Sequence, residues 1–597
     1  MQLTRLELLA PAKDLTVGTA AIDCGADAVY IAGPRFGARV AAGNPIEDIA
    51  QLCTYAHKFG VRIYATLNTL LREDELQSAG RLVREYHEAG VDALIVQDMN
   101  LLRLDLPPIE LHASTQAVVR TPERARELEQ AGFRRIILER QMSLEQIRAI
   151  REAVSCEMEF FVHGALCMSY SGQCFLSEEL TGRSANRGCC AQPCRSRYDV
   201  YDGHGRVLAR DKHILSMKDY RLDSHIAQLA EAGITSFKIE GRLKNASYVK
   251  NVVRHYRSVI DRFIESSGGR GFTRASYGEC VGGFTPNPDA TFNRGYTSCF
   301  IDGQRSKWNS GDAAKALGEY LGKVSSVDSK RQTVVLDTRE QISNGDGLSF
   351  VAAGGEVVGM RVEVADGKTV RVKDASYVKA GMKCWRNLNA AFEKELDSNM
   401  PRRLVDVALD YETSGGHTKY TASYPDGSVR TVECDETAPE ALNPVRARDI
   451  LRSQLSKTTD CYRFALRRIS ADKVYSYSAA YLNSIRRQMA EKMPEQVGHD
   501  GTGLSVVGNA LGASVVGDVP NTSCPTCSGI SVQNPPRESL MRSKYCVRYE
   551  LGLCSGERGE RSDAADAADA APLTIANAGR KFHLHFDCKN CEMYVTL

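Results

Sequence analysis

Through its first 242 residues the chain repeats one pattern. An amphipathic stretch with apolar residues at helical spacing ends in glycine, and a short apolar run rich in β-branched residues follows at once. Gly25, Gly60, Gly90, Gly132 and Gly233 stand at these junctions. A glycine there closes a helix in the left-handed conformation, and the chain then turns directly into a strand. Eight strands are predicted, at 6–12, 28–33, 62–68, 93–98, 110–116, 135–140, 159–164 and 236–242. Continuous apolar runs such as Ala93 to Val96 are what a sheet buried on both faces requires. Eight of them, mostly separated by helices, predict an α/β fold of the (β/α)8 TIM-like barrel type over residues 1–265. Two features are irregular. Only eleven residues, including Pro107 and Pro108, separate strands four and five, leaving room for a single helical turn. The insertion 165–235 separates strands seven and eight.

Beyond residue 265 the pattern changes to short alternating segments punctuated by Gly and Asp, which predicts a β-rich domain over 266–400. Residues 401–495 mix strand-like stretches with a late helix at 479–492 and read as an α+β domain. A Gly, Val, Ser and Ala composition makes 496–530 a linker, and 531–597 a Cys-rich terminal module with a low-complexity Ala/Asp spacer at 557–572.

At 597 residues the chain exceeds any ordinary single core, and 43% hydrophobic with 25% charged residues is globular composition. No run approaches the roughly 18 apolar residues of a membrane helix. The first residues pass straight into strand one, leaving no room for a secretory signal. The nineteen cysteines therefore read as cytoplasmic thiols, several of them metal ligands. Net charge is +2, so any nucleic-acid contact has to come from local patches. Nine Lys/Arg face four Asp over 181–222, and seven basic residues face two acidic ones over 238–262. Both are equally readable as solvated faces.

The common strings of hydrolases and nucleotide-binding proteins are absent. The chemistry gathers instead at Cys167, Cys174, Cys190 and Cys194, spaced C-x6-C-x15-C-x3-C. Four such thiols make a soft, multidentate site for an iron–sulfur cluster or zinc. The set begins three residues past strand seven, at the end of the barrel where catalytic loops lie, so it is expected at the mouth. Cys189 beside Cys190 leaves the third ligand open by one position. Arg183, Arg187, Arg195 and Arg197 are expected to favour thiolates. A second group, Cys546, Cys554, Cys588 and Cys591, has the spacing of a structural zinc ribbon and suits zinc or iron. Cys524 and Cys527 form a competing pair within the linker.

Polar residues crowd the carboxyl ends of the predicted strands: Asn68, Gln97, Asp98, Glu139, Arg140, His163, Lys238, Glu240 and Arg242, with Ser114, Thr115, Gln116 and, after strand two, Arg39. Together they suit a pocket for a small acid, with arginines as bidentate carboxylate partners. The competing reading has them filling the bore or pairing, Lys238 with Glu240. His112 reads as a core histidine. His163 suits three roles: facing substrate, bonding near the cysteines, or activating Cys167 as a nucleophile.

The run from Glu159 through Phe161, Gly164, Ala165, Leu166, Cys167, Gly172 and Cys174 to Ser177 resembles the signature of the U32 collagenase-like peptidase family. Asn186, Arg187, Gly188, Cys190, Pro193 and Cys194 extend it. The β-rich middle and the ending Phe586, Asp587, Cys588, Cys591 resemble the long branch of that family, which includes a 23S ribosomal RNA cytidine hydroxylase. The Gly-rich insertion near residue 500 and the Ala/Asp repeat depart from it. The resemblance implies an iron–sulfur cluster, 4Fe–4S, on Cys167, Cys174, Cys190 and Cys194. It also implies hydroxylation of a cytidine at ring carbon five, with prephenate as hydroxyl source and ribosomal RNA as partner. On that reading Arg39, Arg140, Lys238 and Arg242 hold the acidic cosubstrate, and Glu139, His163 or Glu240 moves protons. Arg187, Arg195 and Lys244 would meet RNA phosphate. A thiol- or metal-dependent peptidase using Cys167 and His163 is the rival reading, and a non-catalytic RNA-binding assembly factor the third.

Overall fold

The computed structural model describes residues 3–38, 43–268, 271–311, 314–351, 357–491, 539–554 and 572–597. All eight expected strands form: β1 (Thr4–Ala12), β2 (Ala28–Ala32), β3 (Arg62–Leu67), β4 (Ala93–Val96), β5 (Glu110–Ala113), β6 (Arg135–Ile137), β7 (Glu157–Ala165) and β8 (Ser236–Ile239). They pair in parallel in the order β8-β1-β2-β3-β4-β5-β6-β7, and the β7–β8 pairing closes the barrel. The five junction glycines all take positive φ, from 65° at Gly60 to 104° at Gly25. The short β4–β5 connection is a 3-10 turn, Met99–Arg103. Several strands end earlier than the hydrophobic pattern implies. β6 stops at Ile137, and Glu139 and Arg140 have already left the sheet for the mouth.

Barrel bores are usually filled by branched aliphatic layers, but here one layer is charged. Arg135 donates to Glu7 and Glu157 and reaches Glu159 at 3.2 Å, while Ser236 donates to Glu7 at 2.8 Å. Leu9, Tyr30, Tyr64, Ile95, Ile137 and Phe161 form the apolar layer around it.

The expected boundary at 265 falls too early. Phe272–Arg274 pairs with β1, and Tyr296–Thr297 joins Asp219–Arg221, which lies antiparallel to β7. Phe284, Phe300 and Trp308 are part of the same apolar core as the barrel. The β-rich unit proper is a closed six-stranded barrel between Glu319 and Leu388, with its own core of Val334, Leu348, Phe350 and Val370. A mixed sheet with helices Pro444–Leu455 and Ala479–Ala490 follows. The buried Arg403 fixes it to the barrel by donating to the carbonyls of Ile22, Ala26 and Tyr277.

The carboxyl-terminal segment is not a separate module. Leu573–Asn577 pairs antiparallel with Tyr198–Tyr201 of the insertion, giving one sheet in the order Met541–Ser543, Glu592–Thr596, Arg580–Asp587, Leu573–Asn577, Tyr198–Tyr201, Val207–Lys212. The expected linker 496–530, with Cys524 and Cys527, and spacer residues 557–571 lie outside the described residues. No helix among the described residues is long and apolar enough to cross a membrane.

Candidate functional site at the barrel mouth

β7 carries the chain straight into the cysteine loop, and its penultimate residue, Gly164, holds φ 102°, where an added Cβ would lie 2.6 Å from the Glu240 carbonyl. Only glycine allows β7 and β8 to meet that closely at the mouth. Just beyond, Ser171 of the loop donates its backbone N–H to Glu139 at 3.2 Å and accepts from Arg140 at 3.2 Å. Arg140 also reaches Glu240 at 3.4 Å and lies 3.8 Å over the Phe161 ring. The ends of β6 and β8 and the loop holding Cys167 and Cys174 therefore share one hydrogen-bonded surface. Burial raises the Glu139 carboxyl above its ordinary range, with Arg140 opposing.

The four thiols share one electrostatic neighbourhood. Cys174 feels Cys167, Cys194 and Cys190, and Cys194 feels Cys167 and Cys190. Cys190 thus lies in the same neighbourhood as the other three. Cys189 lies near Arg187, and its carbonyl accepts from Arg183. The arginine effect runs second to burial: burial raises Cys167, Cys174 and Cys194, the last to about 12, while Arg140 lowers Cys167 and Arg195 lowers Cys194. Thiols so placed deprotonate together only around a positive metal centre, which ionises a coordinating thiol outright. Cys167 is solvent-exposed. Among the described residues no three His, Cys, Asp or Glu side chains stand close enough to hold a single ion. Four thiols brought together at one mouth are the donor type an iron–sulfur cluster takes, so the residues present fit such a group.

The other expected residues divide. Arg242 donates to Thr66 at 3.0 Å and lies near the Tyr30 ring, inside the mouth. Arg140 Nε and Gln97 Nε2 are buried donors without partners, the kind of groups a bound carboxylate satisfies. Lys238 pairs not with Glu240 but with Glu159, at 2.7 Å, one layer down the bore, and burial lowers its pKa. Arg39 lies outside the described residues.

Four assignments meet a different geometry. His163 lies where the β7–β8 register shifts. It is packed among Tyr248, Tyr256 and Tyr296 and pushed down to about 3 by burial. It is a neutral core group with no contact to Cys167, so the dyad a thiol peptidase needs is not formed. Arg187 is bound to Glu75 at 2.7 Å and to the Leu70 carbonyl, tying the insertion to the loop after β3. Arg195 donates to Ser216 and to the Met217 and Leu166 carbonyls, propping the cysteine loop from behind. Lys244 sits 2.9 Å over the Phe292 ring and is lowered to about 8 by burial. These three cations serve internal partners. His112, by contrast, is the expected buried core histidine, stacked edge-on to Tyr64.

Sequence reasoning missed Tyr170, Ser171 and Thr66 at the mouth, together with the strand that covers the cysteine loop. Leu540 and Arg542 carbonyls accept from the backbone of Phe175 and Tyr170 at 2.8 and 2.9 Å, and Cys174 pairs with Met541. No local pattern signals a pairing between segments that far apart.

The model of peptidase family U32 matches residues 13–310. A protein of Escherichia coli named 23S rRNA 5-hydroxycytidine C2501 synthase is 37% identical over 99% of this chain and 94% of its own length. The tRNA hydroxylation protein P1 of Bacillus subtilis is 34% identical over 58% of this chain and 83% of its own. A protein of Porphyromonas gingivalis named collagenase is 30% identical over 54% and 80%. With a relative this similar along nearly its full length and the family signature at the mouth of its barrel, the chain belongs to peptidase family U32.

Proposed function

We propose that this protein hydroxylates a cytidine of 23S ribosomal RNA to 5-hydroxycytidine, with an iron–sulfur cluster on Cys167, Cys174, Cys190 and Cys194 and prephenate as the source of the hydroxyl group. The observation that carries the reading is the continuity of the cysteine loop with Glu139, Arg140 and Glu240 through Ser171. The similarity to the 23S rRNA 5-hydroxycytidine synthase over 94% of that protein supports the substrate. The cluster, when bound, supplies one-electron redox capacity beside the pocket.

The chain's own residues account for the remainder. Arg140 and Arg242 present guanidinium groups to a dicarboxylic acid, whose carboxylates take bidentate hydrogen bonds. Phe161 and Tyr30 give that acid apolar walls. Replacing hydrogen by hydroxyl at ring carbon five releases one proton and two electrons per hydroxide consumed. Glu139, its carboxyl raised by burial, is placed to hold the proton. Conversion of prephenate to phenylpyruvate, carbon dioxide and hydroxide leaves the oxidation level unchanged, so the two electrons leave to an external oxidant, a soluble one-electron carrier reduced twice per turnover. A base inside the mouth has to leave its helix, as for other enzymes that act on nucleobases.

Nucleoside mass spectrometry of 23S RNA from a deletion strain tests the reading. Loss of 5-hydroxycytidine, restored by the wild-type gene and not by Cys167→Ser, is expected. Persistence of the modified nucleoside in the deletion strain overturns it.

A further inference from the structure

The four cysteines of the carboxyl-terminal segment line one cavity of about 40 Å³, together with Arg305, Arg548, Phe586, Asp587 and Glu592. They come from two separate stretches. Cys546 and Cys554 follow the strand Met541–Ser543, while Cys588 and Cys591 form the tip of the hairpin between Arg580–Asp587 and Glu592–Thr596. We propose that Cys546, Cys554, Cys588 and Cys591 bind one tetrahedral zinc ion, and that this ion locks the two strands that cover the barrel-mouth cysteine loop.

Four sulfur donors are a soft set that selects zinc over hard cations. Arg305 and Arg548 line the same walls, and their charge offsets that of thiolates. Arg305 also donates to the Cys591 carbonyl at 3.4 Å. Cys591 holds φ 53°, a left-handed conformation uncommon for a residue with a Cβ, which folds the tip tightly. No three of these side chains stand within single-ion distance in the structure. Binding therefore requires the exposed tip, Cys588 and Cys591, to close onto the partly buried Cys546 and Cys554. Zinc replaces the thiol protons, which pass to solvent, and no electrons move.

Both strands that this ion would join touch the mouth. Met541–Ser543 ends three residues before Cys546 and pairs with the cysteine loop, Ser543 donating to the Met168 carbonyl. Glu592, next to Cys591, accepts from Tyr170 at 2.9 Å. A metal joining the far ends of the two strands limits their fraying from the loop, as structural zinc does in small domains. The site does not depend on the hydroxylase reading, since zinc performs no redox chemistry.

Metal analysis and zinc X-ray absorption of the full-length protein, purified without air, test the proposal. One zinc per chain with four sulfur neighbours at about 2.3 Å is expected. Cys554→Ser and Cys588→Ser should each lose the zinc, and the amides of 539–546 should then exchange faster with deuterium. Wild-type protein without zinc, zinc with nitrogen or oxygen neighbours, or variants that keep their zinc would overturn it. The absorption measurement on wild type stands even if a variant fails to fold. Iron present with zinc absent removes this proposal alone, whereas zinc present with RNA unmodified removes the hydroxylase reading alone.

Discussion

The hydroxyl of Tyr170, between the first two cysteines of the mouth, donates to the carboxylate of Glu592 at 2.9 Å across 422 residues of sequence. Glu592 also accepts from Arg120 at 2.9 Å and Arg542 at 2.7 Å, and Arg120 lies 4.2 Å over the Tyr170 ring. One buried carboxylate thus holds the last strand, the covering strand and the cysteine loop together.

Glu592→Ala removes these charge-assisted bonds, each worth about 1.5–3 kcal/mol. Arg120 and Arg542 are partly exposed and regain water, so the net loss should be about 2–3 kcal/mol. Urea unfolding monitored beside iron retention checks it. A variant with an unchanged midpoint and unchanged iron would show that the carboxylate does not secure the loop.

Cys190→Ser should abolish iron binding at the mouth while Cys189→Ser keeps it, because Cys190 lies in the electrostatic neighbourhood of Cys167, Cys174 and Cys194, and Cys189 in that of Arg187. Iron and acid-labile sulfide content of the two variants decides the matter. Equal loss from both would refute the assignment.

Glu7 bears on acid stability. Burial alone would raise its pKa, but Arg135, with Tyr64 as a second donor, holds it down to about 2. A lowered carboxyl stabilises the fold above the ordinary glutamate range, near 4.3, and that contribution is lost as pH falls toward 2. The pair therefore supplies roughly 3 kcal/mol at neutral pH. Glu7→Gln should be clearly less stable at pH 7, with the gap to wild type closing between about pH 4 and 2. Denaturation midpoints across that range check it, and a gap independent of pH would contradict it.

Glu139 has the opposite sign. Its raised carboxyl favours the fold below the ordinary glutamate range, and that benefit disappears as pH rises through the folded value. Glu139→Gln should be no less stable than wild type at neutral pH, yet slower in RNA hydroxylation by a factor of about 10²–10⁴ if the carboxyl carries the proton. The wild-type rate should rise with pH along a limb that the variant lacks. A variant with the same rate and the same limb would assign the proton to another group.

Much of the barrel was legible because its signals are local. Runs such as Ala93 to Val96 mark all eight strands without reference to the remainder of the chain, and a glycine closes the helix before five of them. The cysteine spacing and its place after β7 located the mouth for the same reason. The boundary at 265 was misplaced because Phe272–Arg274 and Tyr296–Thr297 are too short to signal their pairing with the barrel.

Local pattern determined which residues are chemically capable: the sulfur donors, the arginines and carboxylates at the strand ends, and the alternation that makes a parallel barrel. Only the tertiary structure decided which of them meet. It gave Lys238 to Glu159, enclosed His163 in tyrosines, engaged Arg187 and Arg195 internally, and brought residues 539–545 and 592–596 over the cysteine loop. Propensity and hydrophobic period act over a few residues. The partner of a buried charge is whichever opposite charge the closed fold carries to it, and that choice exists only after the chain has come together.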